Sequence, residues 1–405
     1  MTTYDQLWGS LEPIGRDSAT GGYERFAYAG ADLAAREWLV AAAQERGLDV
    51  HTDRNGNLWA WATPPGPDAL VVGSHLDSVP QGGAYDGPLG VISALAALDA
   101  LRERALTLKR PLAVVVFADE EGARFGTACV GSRLLTGALD PDTARGLRDR
   151  DGTTMAEAMR AAGHDPTHLG RDLETLRGIG AFVELHVEQG RALVALDAPV
   201  GVATRIWPHG RYRFTFTGQA NHAGTTRMDD RHDPMLTYAM TALAANKQAR
   251  LADARATFGK VAVVPNGTNA IPSRVDGWLD ARARDDEALE LLLDAVRRQA
   301  YDRADRDGTT LEVFPESASP AVEFDADLRD RLALLLGAPD GEPAPVLATQ
   351  AGHDAGILAA AGVPAAMLFV RNPTGVSHSP AEHAERDDCL AGVAALARVI
   401  EDLAC

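Results

Sequence analysis

The sequence predicts an α/β protein: a larger domain built on a mixed, mainly parallel sheet, interrupted by a smaller α+β domain with a four-stranded sheet. Three observations predict it. Four short, continuous apolar runs are separated by helical patterns, the signature of strands buried on both faces. Each run is followed by an imidazole or a carboxylate, as in open α/β sheets whose sites form beyond the carboxyl ends of the strands. Between the third and fourth runs the chain changes to strict apolar–polar alternation, which belongs to half-buried antiparallel strands.

Taken in order, residues 31–43 read as a helix, and Leu48 to Asp53 and Leu58 to Trp61 as a hairpin turning tightly on Asn55-Gly56. Pro64-Pro-Gly-Pro67 is a surface turn. The run from Ala69 to Val72 leads to Gly73-Ser-His75, and a helix begins near Pro88, whose fixed φ suits a first helical turn. Its Ala/Leu stripe from Val91 to Leu101 marks it as buried. Leu112 to Ala118 leads to Asp119-Glu120-Glu121, and Phe182 to Leu185 leads to His186. Arg211 to Thr217 alternates; Pro234 to Ala252 is a helix; Lys260 to Val264 and Arg274 to Arg282 are strands; Asp286 to Arg303 is an amphipathic helix; Thr310 to Phe314 is a last strand. That order assigns residues 209–318 to the inserted domain, and residues 1–208 with 319–405 to a discontinuous sheet domain. The fourth apolar run, Ala365 to Val370, brings the sheet domain round to Ser377-His378. There is no internal repeat.

Composition excludes several classes of function. A chain of 405 residues with 46% hydrophobic content can bury two or three cores. A net charge of -18 and a pI near 5.0 argue against a nucleic-acid partner. No stretch of about 18 apolar residues predicts a membrane span. Three cysteines without paired spacing suit a reducing compartment, and the first residues lack a basic start and apolar core, so a cytoplasmic location is expected.

The residues at the strand ends form a ligand set. His75, Asp86, Glu121, His186 and His378 supply three imidazoles, two carboxylates and no thiolate, which suits zinc, manganese, cobalt or nickel, zinc and manganese foremost. Five ligands crowd one ion and serve two divalent cations, and a shared carboxylate between cations about 3.5–4 Å apart can activate one water. Asp86, eleven residues after His75 on a glycine-rich loop, is the natural bridge. Asp77 is placed to accept the second ring N–H of His75 and fix its tautomer. Adjacent side chains leaving a strand point in different directions, so Glu121 is assigned to metal and Glu120 to the water as general base.

These stretches resemble the M20 metallopeptidase-like amidohydrolases, in the branch of allantoate amidohydrolases and N-carbamoyl-L-amino-acid hydrolases. The resemblance rests on GSHLDSVPQGGAYDGPLGV, FADEEGARFG, ELHVEQG, GQANHAGTTRM, Asn269-Ala-Ile-Pro272, Asp280-Ala-Arg282, AGHDA and SHSPAE, in family order along nearly the whole chain. It implies one cation on His75, Asp86 and His378, the other on Asp86, Glu121 and His186, and Glu120 as base. It further implies that Gln189, one turn beyond His186, contacts the substrate amide, and that His222 polarises the scissile carbonyl from across a dimer interface. By the same resemblance Asn269 and Arg282 hold the substrate carboxylate, His353 lies near substrate, and the inserted domain is the lid through which a homodimer forms. The implied substrate is a small carboxylate with a linear ureido or amidine group. Allantoate comes first, then an N-carbamoyl-L-amino acid or an N-formyl or N-formimino amino acid; a dipeptidase or aminoacylase and a non-catalytic binding protein stand further off. Thr349-Gln350, where the branch usually has Ser-Gly, and Arg227, where Pro is common, are this chain's departures.

Overall fold

The computed structural model describes residues 2–339 and 341–405. It divides into two compact units, one made of the chain up to Arg205 together with Glu323–Cys405, the other of Ile206–Val322.

The first unit is organised by a nine-stranded mixed sheet. From one edge its strands run Asp49–Thr52, Leu58–Trp61, Leu112–Phe117, Ala69–His75, Ile179–Val187, Ala365–Val370, Val200–Ile206 and Val322–Glu323, with Val346–Thr349 also joined to Val200–Ile206. The four predicted runs are its four central neighbours, and they pair in parallel. Every residue of Ala69–His75, Leu112–Phe117 and Ala365–Val370 is buried, as continuous apolar runs require. Parallel pairing has a geometric consequence. His75 lies opposite Phe117, Gly73 opposite Glu184, and Phe369 opposite His186, so all four carboxyl ends open on the same side of the sheet.

Helix Pro88–Glu103 is buried along most of its length, as its Ala/Leu stripe predicts, and joins helix Arg386–Ala404 in the main core beside Leu70, Val114 and Leu185. Helix Gly30–Glu45 is found where expected. The hairpin is present, but not with a two-residue turn: Asp53 to Asn57 form a wider loop, in which only Gly56 takes positive φ. The Asp53 carboxylate holds this loop, accepting from the N–H groups of Asn55 and Asn57 and from Trp59 Nε1. Short helices between Val130 and Gly178 carry little periodic signal and are not legible in the sequence.

The second unit is a four-stranded antiparallel sheet in the order Thr310–Ser319, His209–Thr217, Arg274–Arg282, Arg255–Val264, covered by helices Pro234–Leu251 and Asp286–Asp307. Strand Thr310–Ser319 and helix Asp286–Asp307 run longer than the pattern predicted, because their last turns and residues are polar and exposed. Among the described residues no helix is long and apolar enough to cross a membrane.

Candidate metal centre and active site

His75 closes its strand and His186 is the last residue but one of the neighbouring strand; with Gly73 opposite Glu184, the two imidazoles stand level, ring centroids 5.9 Å apart. His75 Nδ1 lies 3.1 Å from the carbonyl oxygen of Asp77, and His186 Nδ1 lies 2.9 Å from that of Val187. A carbonyl can only accept, so Nδ1 carries the proton in each neutral ring and Nε2 presents its lone pair. Both Nε2 atoms are buried and have no hydrogen-bond partner. They face the same oxygen, Asp86 Oδ1, at 3.4 and 3.2 Å.

The other oxygen of Asp86 serves a second set. Oδ2 lies 3.4 Å from His378 Nε2, which is also 3.4 Å from Glu121 Oε2. Ligands on a tetrahedral zinc with arms of about 2.0–2.1 Å stand about 3.3 Å apart. The separations found here match, so both sets, His75–Asp86–His186 and Asp86–Glu121–His378, fit a divalent cation. This grouping corrects the pairing that the resemblance implied. His75 and His186 end adjacent strands and must share an oxygen, whereas Glu121 and His378 arrive on loops from either side of them.

Local backbone geometry aims these side chains. Gly87, with φ of 84°, packs so close under His75 that a Cβ there would stand 2.5 Å from ring atom Cε1. Asp119 and His378 both take left-handed φ, 53° and 55°, an uncommon conformation outside glycine. Asp77 has a role besides the one its spacing suggested. Its carboxylate is 3.5 Å from His75 Nδ1 but accepts the backbone N–H of Glu120 at 3.1 Å and of Glu121 at 3.0 Å. It therefore fastens the turn that carries Glu120 and Glu121.

Glu120 is buried, with Oε2 3.8 Å from His75 Nε2 and Oε1 accepting the Cys129 thiol at 3.4 Å. Burial, with the negative charges of Asp354, Glu121 and Asp77, outweighs His75 and holds its carboxyl well above the usual range. Glu121 is pushed up to about 7 by burial and by Asp86, against the pull of His75 and His378. His378 is pushed up to about 9, chiefly by its contact with Asp86 and then by Glu121.

Gln189 does reach the site, from a bend after the strand rather than a helical turn; its Nε2 donates to Asp86 Oδ2 at 2.8 Å. His353 packs its ring against that of His186, centroids 4.6 Å apart, and is 2% exposed. Burial and the surrounding imidazoles hold its pKa well below the ordinary value. Glu184 escaped the sequence reading. Its oxygens take the Ser74 hydroxyl at 2.7 Å and the Ala355 N–H at 3.1 Å, bracing the helix Asp354–Ala360 behind His186. A glutamate inside an apolar strand was the available signal.

His222, Asn269 and Arg282 lie in the second unit. His222 pairs with Ala270 in a two-stranded ladder, and the Ala223 N–H donates to the Asn269 carbonyl at 2.9 Å. His222 Nδ1 accepts the N–H of Gly224 at 3.0 Å and of Thr225 at 3.2 Å, so in the neutral ring Nε2 bears the proton. Arg282 engages Asp280 through Nε at 2.8 Å and Nη2 at 3.2 Å.

The model of peptidase family M20/M25/M40 matches residues 71–402. The chain is 36% identical to an N-carbamoyl-L-amino acid amidohydrolase of Geobacillus stearothermophilus, across all of this chain and 99% of that one. It is 32% identical to an allantoate amidohydrolase of Escherichia coli K12, across 97% and 96% of the two. Among solved structures it is similar to an amidase of the hydantoinase/carbamoylase family from Burkholderia multivorans, with a TM-score of 0.86, 31% identity and coverage of 99% and 98%.

Proposed function

Since the chain belongs to peptidase family M20/M25/M40 and is an enzyme that hydrolyses C–N bonds, we propose that it acts on a small carboxylate bearing a linear ureido or amidine group, allantoate first. An N-carbamoyl-L-amino acid is the alternative, since a relative of 36% identity carries that name and one of 32% identity the name allantoate amidohydrolase. The observation that carries the reading is Asp86, whose two oxygens each face a separate ligand set. Two divalent cations per subunit, zinc or manganese, would be held by His75, Asp86 and His186 and by Asp86, Glu121 and His378. Bound there, they would supply Lewis-acid chemistry, lowering the pKa of a water and polarising a carbonyl.

The protein's own groups carry the proton. Glu120, beside His75, takes it from the attacking water and delivers it to the departing nitrogen as the C–N bond breaks. Its desolvated carboxyl is suited to hold that proton between the two steps. His222 offers Nε2–H to the oxyanion, its other nitrogen being committed to the main chain. We assign it to the partner subunit's site, with Asn269 and the Arg282 fork on the substrate carboxylate, Gln189 on its amide and His353 behind His186. The dimer would form through the second unit, taken as residues 209–318 and acting as a lid. Among the described residues its edge strand Arg255–Val264 is unpaired on one side, and helix Pro234–Leu251 exposes Leu236, Met240, Leu243 and Leu251. The three unpaired cysteines accord with the cytoplasm.

The test is ammonia release, with product identification, by zinc- or manganese-loaded enzyme on allantoate, N-carbamoyl-L-amino acids and N-formyl-L-glutamate side by side. Preferred turnover of allantoate is expected. Preference for a carbamoyl or formyl substrate would overturn the substrate assignment while keeping the chemistry.

A further inference from the structure

Asp86 must offer its two oxygens in two directions, yet it stands on a loop outside any strand or helix. The direction of a side chain leaving such a loop is only as fixed as the backbone beneath it. The carbonyl of Tyr85 is held by the N–H of Leu89 at 3.1 Å, the start of helix Pro88–Glu103. The donor side of the loop is held by one side chain from far along the sequence. Glu382, 5% exposed, accepts the N–H of Tyr85 at 2.9 Å and of Asp86 at 3.0 Å, both on Oε1. The loop backbone approaches so closely that a Cβ on Gly83 would overlap the Glu382 carboxylate.

The same carboxylate reaches the loop that carries His378. Its Oε2 accepts the Ser377 hydroxyl at 3.2 Å, and that hydroxyl is also 3.2 Å from Asp86 Oδ2. Glu382 itself is anchored by its own N–H on the Ser379 carbonyl at 3.0 Å. One buried carboxylate thus ties together the loops of Asp86 and His378, two of the three ligands in the Asp86–Glu121–His378 set. The other set shares Asp86 but draws its remaining two members, His75 and His186, from central strands, which hold their place without Glu382.

We propose that Glu382 is a positioning residue that assembles the Asp86–Glu121–His378 set selectively, and that its loss weakens one cation site far more than the other. The proposal rests on the two-cation reading above. The prediction is therefore a split between two affinities, which general damage to the fold does not produce.

The experiment is calorimetric titration of metal-stripped full-length protein with zinc, alongside thermal melting of the metal-free forms. Wild type is expected to bind two ions. Glu382→Ala is expected to lose 10- to 100-fold in affinity for the second ion, the one whose set loses the hold on two members, Asp86 and His378, the usual cost of removing a partner that orients a ligand, and clearly less for the first, whose set loses the hold on Asp86 alone. Glu382→Gln should retain both, because its amide oxygen can accept the two N–H groups while its NH2 donates to Ser377 Oγ. Loss of the second ion in Glu382→Gln as deep as in Glu382→Ala would overturn the positioning role in favour of charge. Should Glu382→Ala fail to fold, Glu382→Asp, which keeps the charge but draws the carboxylate back by one methylene, decides: a second ion bound as tightly as in wild type would overturn the proposal. Two ions bound equally well by Glu382→Ala would do the same. Fewer than two ions on the wild type would instead sink the two-cation reading, and with it the premise.

Discussion

Replacing Asp77 by asparagine tests whether this carboxylate is the fastening of the Glu120–Glu121 turn. Asp77 is 3% exposed, and its two oxygens accept the N–H groups of Glu120 at 3.1 Å and Glu121 at 3.0 Å. Asparagine keeps one acceptor and puts an NH2 group against the other N–H, donor facing donor. A hydrogen bond to a charged group is worth about 1.5–3 kcal/mol, and a stranded buried donor costs about 1–3 kcal/mol. We expect the metal-free first unit to lose about 2–4 kcal/mol in Asp77→Asn and about 3–6 kcal/mol in Asp77→Ala, which removes both acceptors. Urea unfolding measures this, and the transition of the second unit, which the substitution does not touch, serves as the internal reference. The same variants should bind zinc 10- to 100-fold more weakly, because Glu121 stands on the turn that this carboxylate fastens. An Asp77→Asn protein with wild-type unfolding midpoint and wild-type zinc affinity would refute the reasoning.

Three further outcomes are expected. Glu120→Gln should keep its bound metal but lose turnover by about 10²- to 10⁴-fold, as removal of a general base does; near-normal turnover is incompatible with that role. His222→Ala should retain metal and lose about 10²- to 10³-fold in kcat, and mixing it with Glu120→Gln should restore part of the activity if each site borrows His222 from the other subunit; no recovery on mixing rules the exchange out. Cation affinity should rise with pH, because a protonated imidazole cannot ligate. His378, pushed up to about 9 by Asp86 and Glu121, releases a proton on binding, so affinity should increase roughly tenfold per unit from pH 7 towards 9 and then level. Calorimetry in buffers of different ionisation enthalpy reads that proton, and a flat profile over the range contradicts it.

Much of this protein is legible residue by residue. A strand buried on both faces must be continuously apolar, so Ala69–His75, Leu112–Phe117, the core of Ile179–Val187 and Ala365–Val370 announce themselves, and the first polar residues past each end are the candidates for chemistry. The alternating strands of the second unit and the glycine-rich loop of Asp86 are legible for the same reason: local burial and local backbone freedom write themselves into local sequence. Other features have no such signature. Which imidazole shares which oxygen of Asp86 depends on strand adjacency, and the pairing taken from resemblance had it the other way. Asp77 bonds to amides 43 and 44 residues away, and Glu382 to one 296 away. Sequence by itself determined the architecture and the list of residues proposed as ligands, because periodicity and composition report what each segment buries. Only the tertiary structure decided how those ligands divide and what holds them, because hydrogen bonds between distant segments exist only once the sheet has brought their loops to the same edge.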